Sequence, residues 1–163
     1  MTTFTSTRSL AGFPIAGAGP AMDLKIATGT IEIAINPVAA DIYELCKLPP
    51  FAVVCMGWLY GDDLDTGVET LDMDIGWAAN GVEAADPDGF GNFGVLTGDL
   101  VLELKPEVSI FVPFGGVLRA TGPQRFSAET QVQAVANVTA ATGGTGTLTA
   151  VVLYFLDPNY TVA

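Results

Sequence analysis

The aspartates are the residues of this chain best suited to chemistry. Asp62, Asp63 and Asp65 crowd one glycine-bracketed segment, with Asp72 and Asp74 close behind. Asp86, Asp88 and Asn92 form a second group in DPDGFGN. Oxygen donors grouped like this suit a hard cation such as calcium, but neither group has the glycine and the terminal acid that an EF-hand loop needs. Aspartate is also the ordinary residue of exposed turns. Two carboxylates held roughly 5–10 Å apart around a cleft would suit glycan hydrolysis. Trp58 or Trp77 could then stack on a sugar, yet Trp77 falls on the inward set of its strand, and Trp58 reads as core or interface.

Other catalytic equipment is missing. The chain has no histidine, so the usual base of a serine or cysteine hydrolase is absent. The Gly-x-Gly stretches near 89–94 and 143–146 lack a strand–helix setting and read as turns. Cys46 and Cys55 cannot complete a four-ligand zinc site without histidine. They read as buried free thiols, with a disulfide left open. The residues therefore name no catalytic group, no metal ligand and no cofactor, and the chain is read as a non-enzyme.

Charge narrows the partners. Eighteen acids face six bases, a net charge of −12, with no basic stripe to attract phosphate, so nucleic acid is not an expected partner. No stretch of about 18 apolar residues runs without turn formers or charges, so no membrane-spanning helix is expected either. The first residues are too broken by Gly12, Pro14, Gly17 and Gly19 for a signal peptide. Half of the chain is hydrophobic and only 15% charged. Its surface must be Thr, Ala and Gly rich, or covered by other subunits.

The elements that position these residues are strands. Leu71, Met73, Ile75 and Trp77 alternate with Asp72, Asp74 and Gly76, which predicts a strand over Glu69–Trp77 with one face in a core. It is expected to return antiparallel to Phe51–Tyr60 through the acidic turn at 61–67. Phe51–Tyr60 is apolar on both sides: Phe51, Val53, Cys55 and Leu59 on one, Val54, Met56, Trp58 and Tyr60 on the other. Such a strand is internal to a sandwich or covered by a partner. Further strands are predicted at Leu24–Thr28, Thr30–Ile35, Leu100–Leu104, Val108–Phe114, Ala128–Ala140 and Thr147–Leu156, with a hairpin turn at 142–146. Val38–Leu48 suits a short helix or a strand, 78–99 reads as a long irregular connection, and Val117–Thr121 is a short separate piece. The fold class is all-β: an antiparallel β-sandwich or jelly roll of about eight strands, spanning 23–163 as one domain. Residues 1–22 read as an extended N-terminal arm carrying Phe4, Leu10, Phe13 and Ile15 as apolar anchors beside Arg8.

One stretch carries a resemblance. Tyr43, Leu48 and Pro49 precede the apolar strand, followed by Asp65, Thr66 and Gly67 and by Leu71, Asp72, Asp74, Ile75 and Gly76. This resembles the β-sandwich or jelly-roll proteins of tailed bacteriophages called decoration, cement or head-fibre proteins, over about a fifth of the chain. The resemblance implies a protein made in the host bacterial cytoplasm and placed on the capsid exterior of the virion. Its implied partners are the major capsid protein and copies of itself, commonly as a homotrimer. The contact residues expected on the arm and the two-faced strand are Phe4, Arg8, Leu10, Phe13, Ile15, Val54, Met56, Trp58 and Tyr60. The alternative is a tail or fibre module that recognises a receptor or glycan through 78–99 with Trp58 or Phe90.

Overall fold

The computed structural model describes residues 23–62, 64–65, 70–95, 109–142 and 145–160. Among them run β1 (Lys25–Ile33), β2 (Ile42–Leu48), β3 (Ala52–Asp62), β4 (Asp72–Trp77) and β5 (Asp86–Val95). Then come β6 (Ser109–Pro113), the one-turn helix α1 (Gly116–Ala120), β7 (Gln124–Arg125), β8 (Thr130–Val138) and β9 (Gly146–Leu156). Two antiparallel sheets result. The first has the order β1-β9-β3-β6, with β7 also on β3, and the second has β2-β8-β4-β5. The expected all-β sandwich is therefore present. The strand predicted at 100–104 lies outside the described residues.

The core between the sheets follows from alternation. Leu71, Met73, Ile75 and Trp77 are buried as their spacing predicts, beside Val132, Ala134 and Ala136 of the neighbouring β8 and in one core with Leu148, Ala150 and Val152 of β9 in the opposite sheet. Trp77 stands edge-on to Phe90 and Phe126, at centroid distances of 5.0 and 5.1 Å. Its indole N–H donates to the Ala84 carbonyl at 3.0 Å, so burial leaves no polar atom of the ring unmatched.

Three expectations change and one left open is settled. β3 and β4 do not pair with each other: β3 lies in the first sheet and β4 in the second, so the acidic segment between them crosses the sandwich. The segment between β8 and β9 crosses in the same way rather than closing a hairpin. Alternation says which side of a strand is buried but not which sheet it joins, and both crossings were hidden for that reason. Ile42–Leu48 resolves as a strand, paired with β8 and bulged between Glu44 and Cys46. Finally, the supposedly irregular 78–99 contains β5, hydrogen-bonded along β4. Its glycines conceal the strand because they permit close contact: a Cβ at Gly89 would run into the Trp77 indole.

Asp65 ties the two crossings together. Its carboxylate accepts N–H groups from Thr70 at 2.6 Å and Leu71 at 2.9 Å, and from Thr142 at 2.9 Å. Burial, the largest single influence, pushes this carboxyl up. Backbone N–H groups of Thr142, Thr70, Leu71 and Ala141 together outweigh it and hold the group below the usual carboxylate range.

Candidate interaction surface

In a two-sheet sandwich each strand turns one side to the core and the other outward, and the outward side of an antiparallel sheet is ordinarily polar. The first sheet departs from this. Cross-strand register sets its outward residues in rows. Ile26, Leu153 and Met56 stand side by side; next come Thr28, Val151, Trp58 and Pro113; then Thr30, Thr149, Tyr60 and Phe111. Ile26 is 65% exposed, Met56 56%, Phe111 46% and Tyr60 42%. Trp58 lies 6.4 Å from Phe111 between ring centroids, so the aromatic rings are contiguous. A run of large apolar groups this exposed is the mark of a surface that meets something.

The patch has a defined edge. Beyond the third row the face turns polar at Glu32, Thr147 and Asp62, whose carboxylate accepts the Thr147 N–H at 2.7 Å. That hydrogen bond, with a second from the Thr147 hydroxyl, holds the Asp62 carboxyl below its usual range. At the opposite end Val53 is buried beside its register partners Phe155 and Arg125. The Arg125 guanidinium sits 5.5 Å from the centre of the Phe51 ring, in cation–π range, and donates to the Asp157 and Pro158 carbonyls.

The outer face of the second sheet is different in kind. It carries Glu44, Lys47, Asp72, Asp74, Gln131, Gln133 and Asn137, interrupted by Ile42, Val135 and Val138. Lys47 and Glu129 form an exposed ion pair at 2.9 Å. One side of the sandwich is thus apolar and the other acidic and amide-rich.

Met56, Trp58 and Tyr60 all fall on the apolar face, as the two-faced strand predicts. Val54 does not. It is fully buried and belongs to the core, because β3 carries a bulge between Val54 and Met56 that shifts the alternation by one residue. Phe4, Arg8, Leu10, Phe13 and Ile15 lie outside the described residues. Sequence reading missed Ile26, Phe111, Pro113, Val151 and Leu153. The signal was present in β9, whose AVVLYFL is as apolar on both sides as β3. Phe90, the aromatic named for a recognition loop, is fully buried and stacks on Phe114 at 5.0 Å, so it cannot contact a receptor from this position.

Neither thiol is activated. Cys46 and Cys55 are both free. Burial pushes Cys46 up to about 11 and raises Cys55, whose Sγ–H donates to the Leu153 carbonyl at 3.3 Å. No helix among the described residues is long and apolar enough to cross a membrane.

No protein-family model matches the sequence, and no curated protein does. Solved structures do match. A chain of the cyanophage Pam1 capsid asymmetric unit superposes with a TM-score of 0.62 at 23% identity, covering 96% of this chain and 100% of that one. A chain from the capsid of Ralstonia phage GP4 gives 0.63 at 21%, over 90% and 93%. One from the acidic stable capsid of Helicobacter pylori bacteriophage KHP30 gives 0.51 at 16%, over 83% and 89%. The protein shares its fold with chains of phage capsids. The likeness runs nearly end to end in the first two and over most of both chains in the third.

Proposed function

We propose that this protein is a structural component of a phage virion, a decoration or cement protein that binds the outer surface of the capsid and stabilises contacts between capsomers. The observation that carries the reading is the apolar outer face of the first sheet, set against an acidic outer face on the second. The fold shared with capsid chains supports the same setting. In this reading Met56, Trp58, Tyr60, Phe111 and Ile26 are buried against the major capsid protein or a neighbouring copy in a trimer. Residues 1–22 reach across to the shell, and the acidic face turns to solvent, where like charge keeps particles apart. The strand order supports a jelly roll, since strands from the start and end of the chain interleave within each sheet. The role asks for rigid complementarity and no bond-making step.

Capsids prepared without the protein provide the test. Adding it back should produce saturable binding and a higher disruption temperature. Absence of the protein from purified particles, with unchanged heat and chaotrope resistance, would contradict the proposal.

A further inference from the structure

The outer face of the second sheet holds a feature that docking does not use. Asp72 and Asp74 project from the same side of β4, and Asp74 is only 6% exposed. One oxygen of each carboxylate, Oδ1, is buried and has no hydrogen-bond partner. Both flanking strands bulge beside this pair. β5 slips register between Val95, opposite Asp72, and Asn92, opposite Asp74, with Gly94 at a φ of +65°. β8 slips between Val138 and Ala136, which leaves Asn137 as the extra residue. Bulges re-aim side chains away from the regular ladder. Here the Asn137 amide meets Asp74, and the charge of Asp88 on β5 acts on it together with that of Asp72.

A buried anionic oxygen without a partner is strongly unfavourable, and two on adjacent same-face positions repel as well. A positive species between them removes both costs. We propose that Asp72 and Asp74 hold a calcium ion, completed by neutral oxygens of the bulged strands and by water. Among the described residues no three carboxylates or thiols are grouped to hold a metal, so the site draws on neutral oxygens besides this pair. Calcium suits what remains, because it accepts amide and carbonyl oxygens and water in irregular geometry, whereas magnesium demands a near-ideal octahedron. Two carboxylates place the affinity in the weak class, about 10⁻⁴–10⁻³ M. A proton is the competitor: burial first, then the charges of Asp72 and Asp88, push the Asp74 carboxyl up, against the opposing bond from Asn137.

The test is thermal melting of the full chain at neutral pH. With 10 mM calcium the melting temperature should rise by about 4 °C over a chelator control, and by less than half as much with magnesium. Asp74→Asn should abolish the rise yet melt no lower than the parent in chelator, since the buried charge is gone. Asp72→Asn serves the same purpose if Asp74→Asn fails to fold. Glu32→Gln, on the other sheet, should keep the full rise. A parent protein indifferent to calcium would overturn the proposal, as would an Asp74→Asn variant that still responds. Stabilisation on acidification to pH 5, with no added effect of calcium, would assign the position to a proton instead. The capsid reading stands or falls separately, since none of these outcomes touches the apolar face.

Discussion

Replacing Met56 by aspartate tests the apolar face where it is most exposed on β3. Full burial of a methionine side chain is worth about 1.5–3 kcal/mol. Met56 already hides part of its surface and leaves 56% to be covered, so docking would gain about 1 kcal/mol from it. Aspartate loses that gain and adds a carboxylate buried among Ile26, Leu153 and Trp58 with no partner, a further cost of several kcal/mol. A combined loss of about 4 kcal/mol weakens binding roughly a thousandfold. The fold itself should lose little, since the side chain points away from the core. The assay is co-sedimentation with capsids that lack the protein, alongside a melting curve of the variant alone. Binding within twofold of the parent, by a variant that melts normally, would refute the assignment of this face.

Two further outcomes follow from the interior. Gly89→Ala should cost about 1–3 kcal/mol in chemical denaturation, because the new methyl group meets the Trp77 indole, and near-ultraviolet dichroism should report the disturbed ring. For Asp65 the folded carboxyl lies below its unfolded value, so its contribution is complete above about pH 4 and is lost as pH falls through the folded value. Asp65→Ala should therefore be less stable than the parent at pH 7, with the gap narrowing in acid. A gap that stays constant from pH 7 down to pH 2 would contradict the role given to this carboxylate.

Much of the fold was legible because alternation reports burial directly. The inward set of β4 is read from its sequence without error, and so is the apolar character of β3 on two sides. What escaped reading were features that alternation does not encode. The bulge at Cys55 moved Val54 into the core while its three neighbours stayed outside. β5 was invisible because its glycines serve contact with Trp77 and Asp86 rather than strand propensity. The separation of β3 from β4 depends on crossings whose turn residues look the same as those of a hairpin. The interaction face itself was half legible. Its β3 row came from sequence, but Ile26, Val151, Leu153 and Phe111 joined it only through register between strands distant in the chain.

The acidic residues were the first candidates for chemistry, and the fold gives them separate tasks. Asp65 fastens two crossings and Asp62 pins the start of β9. Among the described residues, Asp72 and Asp74 are the acids left with buried oxygens unmatched.

An electron cryomicroscopy map of the intact particle would show whether the apolar face is an interface on the shell. Density for this sandwich is expected on the shell, with Met56, Trp58, Tyr60 and Phe111 packed against a capsid subunit or a neighbouring copy and Asp72 and Asp74 turned outward. A map in which the first sheet's outer face is bare to solvent, or in which the protein is absent from the head, would contradict it.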